Sequence, residues 1–305
     1  MKNIILCFKH QALFLENYIS NSNGTLGTTF CGLGDIIKGF IYTYSYCKKN
    51  NYNFYLNLDG HCLKPFLNLK KFKYNNKIPD NVPFVHGVNL ENYISRKSEK
   101  DVFLMTDGGG FRNSFYNLDL EKDFENIFFS KKVIQNRVKK LFPDCSNVFH
   151  ARFGDGEMVC KDFLDDYYLR NNRHQYSPFD WYKSKNMQDV YKFIYKNFRE
   201  EIASSDFVCS DHLSFKTFLS ELVNVKFINS ESAHLGLKNN TKKVIEDTLV
   251  DFYILYNSKK GVSISQYPFG KRPSGFVFWI SEIFSKDYKH YCINLSENRI
   301  SPLVF

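Results

Sequence analysis

The chain lacks any pair of closely spaced cysteines. Its eight cysteines lie at positions 7, 31, 47, 62, 145, 160, 209 and 292, and no CxxC pair occurs. A structural zinc site normally needs such a pair, and a disulfide framework is typical of shorter, exported chains. The pattern argues against both and predicts a cytoplasmic protein whose thiols are mostly reduced.

Long apolar segments are also missing. The sequence contains no run of 18 apolar residues, so we expect no membrane span. The first apolar run, Ile4–Phe8, is only five residues long before Lys9, which is too short for the hydrophobic region of a signal peptide. Both absences agree with the cytoplasmic location that the cysteines suggest.

Several nucleotide- and nucleic-acid-binding signatures are absent. GxxxxGK[ST] does not occur, which excludes a P-loop kinase, and the lack of GxGxxG argues against an NAD-dependent dehydrogenase. The net charge is +9, but the lysines are scattered, and no Arg-rich tract, RNP-like strand or zinc knuckle accompanies them. A basic chain that handles a small phosphorylated ligand fits this charge at least as well as a nucleic-acid-binding protein.

The sequence does contain two sets of alternating strand and helix patterns. In the first set, strands are predicted at Ile4–Phe8, Asn53–Leu58 and Asp101–Thr106, and helices at 36–47 and Lys131–Leu141. In the second set, strands are predicted at Val148–Ala151, Phe207–Ser210, Val225–Ile228 and Gly261–Ile264, and helices at 186–202, Ser214–Leu222, Asp247–Asn257 and Ser274–Phe284. With 305 residues and Pro143 between the sets, we predict two doubly wound α/β domains, 1–143 and 144–305, facing a cleft.

The stretch His150-Ala-Arg-Phe-Gly-Asp-Gly-Glu157 is the most informative in the chain, because it places an imidazole, a guanidinium and two carboxylates where a strand ends. Ligands of open α/β sheets lie beyond the carboxyl ends of the strands. His150 and Arg152 are two residues apart and so share one face of a strand. Arg152 can present its planar fork to a phosphate, and His150 can hydrogen-bond a flat heterocycle. The alternative is a surface turn with a salt bridge between Arg152 and Asp155.

Two further loops have chemistry suited to a cleft. Gly32-Leu-Gly34-Asp35 opens a helix, where backbone N–H groups favour an anion, although GxGD is also a common structural turn. Asp107–Arg112 contains three successive glycines after a strand, which permits close approach of a ligand or simply makes a flexible turn.

The second half contributes two more such loops. Asp211, in Ser210-Asp211-His212, can accept from the N–H edge of a purine or can cap the helix that follows. In Gly270–Phe276, the hydroxyl of Ser274 and the amides of Gly275 and Phe276 stand at a helix start, where phosphate oxygens bind. Lys271 and Arg272 in the same loop either add positive charge for a phosphate or are simply solvated surface cations.

These motifs resemble those of the fucosyltransferase superfamily, the α1,2-, α1,6- and protein O-fucosyltransferases. HARFGD at 150–155 resembles the HxRxGD motif, and GLGD at 32–35 resembles the GxGN/GxGD start. Cys209-Ser-Asp211 resembles the second motif, and Asp247–Ser258 followed by Ser274–Trp279 resembles the third. The resemblance covers 30–48 and 147–285 but not 60–140. Phe153 stands where many members have a second arginine.

The resemblance implies a GT-B fold, with two Rossmann-like domains that bind mainly the acceptor on the first and the nucleotide sugar on the second. It also implies a metal-independent, cofactor-independent, inverting transfer of fucose from GDP-fucose to a glycan acceptor, in glycan biosynthesis. By motif, Arg152 would hold the pyrophosphate, and His150 and Asp211 would approach the guanine. The other donor-binding residues would be Gly32, Gly34, Ser274, Gly275 and Phe276.

The catalytic base stays open at this stage. Loss of GDP needs stabilisation of negative charge on the β-phosphate, which Arg152 and helix amides can supply. An inverting transfer also needs a base for the acceptor hydroxyl, or strong activation of the leaving group. The candidates are the carboxylates of the predicted cleft loops, Asp35, Asp107, Asp155 and Glu157. Two other functions also stay open: a GT-B transferase for another nucleotide sugar, and a non-catalytic sugar- or nucleic-acid-binding protein.

Overall fold

The chain divides into two compact units. The computed structural model describes residues 1–8, 33–59, 61–67, 72–85, 89–106, 124, 132–143, 146–153, 187–230, 232, 241–266, 275–294 and 298–303. The first unit comprises Met1–Val133 together with Leu235–Asn239, and the second comprises Ile134–His234 together with Asn240–Phe305. The boundary therefore falls between Val133 and Ile134, whereas the sequence suggested a boundary at residue 143.

The first unit contains a three-stranded parallel sheet with the order β2-β1-β3. Its strands are β1 (Asn3–Cys7), β2 (Asn53–Asn57) and β3 (Asp101–Leu104), and its helices include α1 (Leu33–Lys49) and α2 (Leu90–Arg96). β1 lies in the middle, and its residues 4–7 are fully buried, as expected for a parallel strand covered on both faces.

Helix α1 forms where the sequence has helical spacing of apolar residues. Ile36, Ile37, Phe40 and Ile41 make one buried stripe, and Lys48 and Lys49 stand in the last turn, where positive charge favours the helix dipole. The strands predicted for this half and the helix at 36–47 are confirmed. The seven-residue α2 was not predicted.

The second unit contains a five-stranded sheet with the order β5-β4-β6-β7-β8. Its strands are β4 (Asn147–Arg152), β5 (Phe207–Ser210), β6 (Lys260–Gln266), β7 (Asp287–Asn294) and β8 (Arg299–Leu303). The first four in spatial order are parallel, and β8 is antiparallel to β7. The helices are α3 (Lys132–Leu141), α4 (Met187–Asn197), α5 (Arg199–Ala203), α6 (Leu213–Leu222), α7 (Lys242–Asn257) and α8 (Gly275–Phe284). Among the described helices, none has the length and apolar character needed to cross a membrane.

Helix α3 packs with the second unit, although the sequence placed it in the first domain. Its Arg137 forms an ion pair with Glu246 and another, 2.6 Å long, with Asp247 of α7. Asp247 is only 2% exposed, so this pairing compensates a buried charge and attaches α3 to α7.

One predicted strand is wrong, and two strands were missed. Val225–Ile228 forms only an isolated bridge, in which Lys226 pairs with Phe207. β7 and β8, at the carboxyl-terminal end, were not predicted. The other strands and helices predicted for the second half are confirmed within their described residues, with 186–202 divided into α4 and α5.

Gly261 of β6 occupies a position too crowded for a side chain, which leads to a stability prediction. A Cβ there would lie 2.4 Å from the carbonyl oxygen of Val148 and 2.6 Å from the ring of Tyr288. We expect Gly261→Ala to lower the free energy of unfolding by about 3 kcal/mol, because the β4 carbonyl cannot retreat without disturbing the sheet. Denaturant unfolding measures this, with Lys260→Ala at the neighbouring exposed position as the control. An unchanged or higher stability would contradict the crowding.

Candidate functional site

The order of the strands locates a candidate site in the second unit. From β4 the chain runs to β5, which pairs with one edge of β4. It then runs to β6, which pairs with the other edge of β4, so the strand order reverses between β4 and β6. In open α/β sheets, ligands bind beyond the carboxyl ends of the strands at such a switch point. His150 and Arg152 lie at this end of β4, in register with Ser263 and Ser265 of β6.

A row of polar side chains crosses the sheet near these strand ends. Residues in register on neighbouring strands share one face, and the row consists of Cys209, His150, Ser263 and His290. All four are buried. Helices α7 and α8 contact this row, since Cys209 Sγ lies 3.7 Å from the Asp251 carboxylate and His290 Nε2 lies 3.0 Å from Ser281 Oγ.

His150 is held in one orientation by a serine and an aromatic ring. Its Nδ1 lies 3.0 Å from Ser263 Oγ, and its ring stacks on Phe276 with 6.2 Å between centroids and 17° between planes. Burial, together with the positive charge of Arg152, lowers the pKa of His150 from 6.5 to about 3. The imidazole is therefore neutral at pH 7 and offers one N–H donor and one acceptor.

Arg152 is paired with Asp211 across the ends of β4 and β5. Its Nε lies 3.4 Å from Asp211 Oδ2, and the N–H of Phe153 donates to Asp211 Oδ1 at 2.9 Å. The Arg152 side chain is 28% exposed, whereas that of Asp211 is 2% exposed. The guanidinium therefore reaches solvent at the carboxyl end of the sheet while the carboxylate beneath it is buried.

The position of Asp211 differs from the contact that its motif suggested. We expected Asp211 to accept from the edge of a guanine, but both of its oxygens contact protein groups and almost none of it is exposed. The reason is the direct pairing of β4 with β5, which puts Ser210 in register with Ala151 and so brings Asp211 beside Arg152.

The N-terminal turn of α8 lies next to the same strand end. Gly275 and Phe276 are its first two residues, and the Phe276 ring contacts both His150 and Phe252 of α7. The first N–H groups of a helix have no partner within the helix and favour anions. The structure thus brings Arg152, His150 and the start of α8 together.

The other predicted site residues are distributed as follows. Gly34 is buried in the first turn of α1, and Asp35 follows it in the same turn, so both belong to the first unit. The remaining ones lie outside the described residues: Gly32, Asp107, Asp155, Glu157 and Ser274.

Phe153, where the sequence departs from the family motif, belongs to the hydrophobic core. It is 2% exposed and packs against the rings of Tyr191, His212 and Phe215, with centroid distances of 5.6, 4.8 and 5.1 Å. Strand alternation turns position 153 to the face opposite Arg152. A second arginine at this position would be buried among aromatic rings in this chain.

Ser263 was missed as a site residue. A serine between the apolar residues Val262 and Ile264 is the only sequence signal for it, and its significance depends on knowing that β6 pairs with β4. Within the described residues, no group of three or more His, Cys, Asp or Glu side chains could hold a metal ion.

The comparisons with known proteins agree with this architecture. No protein-family model matches the chain, and no curated protein matches it. Solved structures do match it, among them the selenomethionine form of fucosyltransferase NodZ from Bradyrhizobium. That match has a TM-score of 0.54 and 12% identity, over 99% of this chain and 98% of the other. The chain has a GT-B fold.

Two further GT-B structures extend this similarity. NodZ alpha-1,6-fucosyltransferase co-crystallised with GDP matches with a TM-score of 0.54 and 12% identity, over 99% of this chain and 97% of that one. The same enzyme soaked with GDP-fucose matches with a TM-score of 0.52 and 12% identity, over 99% and 98%. The predicted fold class is confirmed, and the likeness to fucosyltransferases includes 60–140, which the motifs did not cover.

Proposed function

We propose that this protein is a glycosyltransferase that transfers fucose from GDP-fucose to a glycan acceptor with inversion at the sugar carbon. The observation that carries the proposal is the position of Arg152, partly exposed at the strand-order switch beside His150 and the start of α8. A guanidinium and helix N–H groups at one point are suited to a diphosphate. The GT-B fold shared with fucosyltransferase structures that bind GDP and GDP-fucose supports the same donor.

In the proposed reaction, the acceptor hydroxyl attacks the anomeric carbon as the bond to the β-phosphate oxygen breaks. The electron pair of that bond goes to the departing GDP, whose new negative charge Arg152 and the α8 amides would stabilise. The hydroxyl proton passes to a carboxylate base. The candidate bases remain Asp35, Asp107, Asp155 and Glu157.

Neutral His150 suits this arrangement. An imidazolium would repel the adjacent guanidinium and would compete for the same phosphate, whereas the neutral ring does neither. The ring is buried and is held by Ser263 and Phe276, so it can keep the start of α8 in place beside Arg152.

The first test is a thermal-shift panel of GDP, UDP, dTDP and CMP, since a ligand that binds only the folded state raises the melting temperature. We expect the largest rise with GDP, and slow hydrolysis of GDP-fucose when no acceptor is present. A rise with UDP equal to or above that with GDP would overturn the fucose donor and leave a GT-B transferase for another nucleotide sugar. No rise with any nucleotide, together with strongly salt-dependent oligonucleotide binding, would favour the non-catalytic alternative.

We also propose that the transfer needs no metal ion or other cofactor, because Arg152 and the α8 amides supply the positive electrostatic field at the diphosphate. Activity measured in excess EDTA is expected to equal activity without it. Loss of activity in EDTA that Mn²⁺ restores would contradict this and would assign the charge stabilisation to a divalent cation.

A further inference from the structure

Asp211 contacts both Arg152, the residue that carries the proposed function, and the backbone of the next residue, Phe153. It lies directly after β5, and Arg152 is the last residue of β4, which pairs with β5 in parallel. One carboxylate oxygen accepts from the backbone N–H of Phe153, and the other contacts Arg152 Nε. The carboxylate thus fixes both the guanidinium and the main chain that leaves the strand.

The loop that carries Asp211 is itself firmly held. Ser210 Oγ accepts from the N–H of His212 at 3.1 Å, and His212 Nδ1 lies 3.2 Å from the hydroxyl of Tyr191. His212 is fully buried and packs against Phe153. Asp211 is therefore anchored in a rigid setting, which is what orienting a flexible arginine side chain requires.

Arg152 and Asp211 differ in solvent exposure, and this difference indicates different roles. Asp211, at 2% exposure, is covered by protein, whereas Arg152, at 28%, reaches the surface. The contact with Asp211 involves Nε, one of five N–H donors on a guanidinium whose planar fork can also bind phosphate oxygens. A ligand at this site would meet Arg152 and not Asp211.

We propose that Asp211 is a positioning residue that orients Arg152 toward the donor diphosphate and does not contact the nucleotide base. This inference rests on the proposed function, because it requires that Arg152 bind a diphosphate. It replaces the expectation that Asp211 distinguishes guanine from other bases.

The test measures dissociation constants of GDP, UDP and inorganic pyrophosphate by calorimetry for the wild type and Asp211→Asn. The amide oxygen can still accept from Phe153, but the amide nitrogen cannot pair with Arg152. We expect all three ligands to bind more weakly by the same factor, about tenfold, because the change acts on the group that binds phosphate. In an Arg152→Ala background, Asp211→Asn should have almost no further effect.

The matched control is Asp206→Asn at the opposite end of β5. Asp206 also accepts from backbone N–H groups, those of Ser146 and Asn147, each at 3.0 Å. It is expected to leave all three dissociation constants unchanged. If Asp211→Asn does not fold, Asp211→Glu is the second variant, since it keeps the charge but displaces the guanidinium and should weaken all three ligands equally.

Three outcomes would overturn the proposal. A loss of affinity for GDP alone would show that Asp211 contacts the base. An equal cost of Asp211→Asn with and without Arg152 would show that it acts independently of the arginine. If the wild-type protein binds none of the three ligands, the proposed function fails together with this proposal. The first two outcomes, in contrast, overturn only the role of Asp211, so the two failures are distinguishable.

Discussion

Replacement of Arg152 by lysine is expected to reduce kcat for sugar transfer by at least about 100-fold, the cost typical of removing one donor that stabilises transition-state charge. A lysine keeps the charge but has a single ammonium group in place of the planar fork. The buried carboxylate of Asp211 would attract that ammonium group, since in the native pair the carboxylate lies 3.4 Å from Nε of the arginine. One ammonium cannot then both neutralise Asp211 and bind two phosphate oxygens.

The measurement is steady-state kinetics with GDP-fucose, accompanied by thermal unfolding to verify that the variant is folded. Arg199→Lys is the control, because Arg199 is an exposed arginine of the same unit, at the start of α5. It should leave kcat unchanged. A near-normal kcat in Arg152→Lys would mean that Arg152 serves only as a structural partner of Asp211.

The elements that could be predicted from the sequence are those in which the spacing of apolar residues along the chain indicates which residues are buried. β1 is apolar after Asn3 and β5 is apolar up to Ser210, and α1 repeats its apolar residues at helical spacing. β7 was missed because Lys289 and His290 interrupt its apolar residues, and its place in the sheet depends on pairing with β6. Such pairing arises from tertiary packing, which a strand's own sequence does not encode.

The same limit applies to the candidate site. The motif around His150 and Arg152 correctly pointed to a strand exit, because His-x-Arg at the end of an apolar strand is a local pattern. The partners of these residues are not local. Ser263 is 113 residues away from His150, and Asp211 meets Arg152 only because β5 lies next to β4. Motif analysis therefore singled out Asp211 as a guanine contact or a helix cap, and its pairing with Arg152 became visible only in the structure.

The second large expected effect is a loss of stability in acid caused by buried histidines. Burial is the main cause that lowers the pKa of His150 to about 3 and that of His290 to about 4, from 6.5. Between pH 6 and 4 both are neutral in the folded state and protonated in the unfolded state, so folding must release two protons. A pKa held below its unfolded value contributes stability at high pH that is lost as the pH falls.

Asp251 opposes this effect. Burial raises its pKa from 3.8 to about 6, against the opposing influence of Lys216, Ser232 and Cys209, so the folded state holds one proton there that the unfolded state lacks. In this pH range the unfolded state therefore binds one net proton more than the folded state. The free energy of unfolding should fall by about 1.4 kcal/mol for each pH unit between 6 and 4.

Two variants separate these contributions in denaturant unfolding measured across that pH range. His290→Gln removes one of the two histidine protons. In this variant the contributions of His150 and Asp251 cancel, so the free energy of unfolding should hardly change with pH between 6 and 4. Asp251→Asn removes the opposing proton, so the slope should be about twice that of the wild type. Carboxylates such as Asp59 and Asp101, whose pKa values are lowered by hydrogen bonds from Lys64 and Tyr74, titrate below this range and are common to every variant. An unchanged slope in His290→Gln would show that His290 is not the buried neutral group that the structure describes.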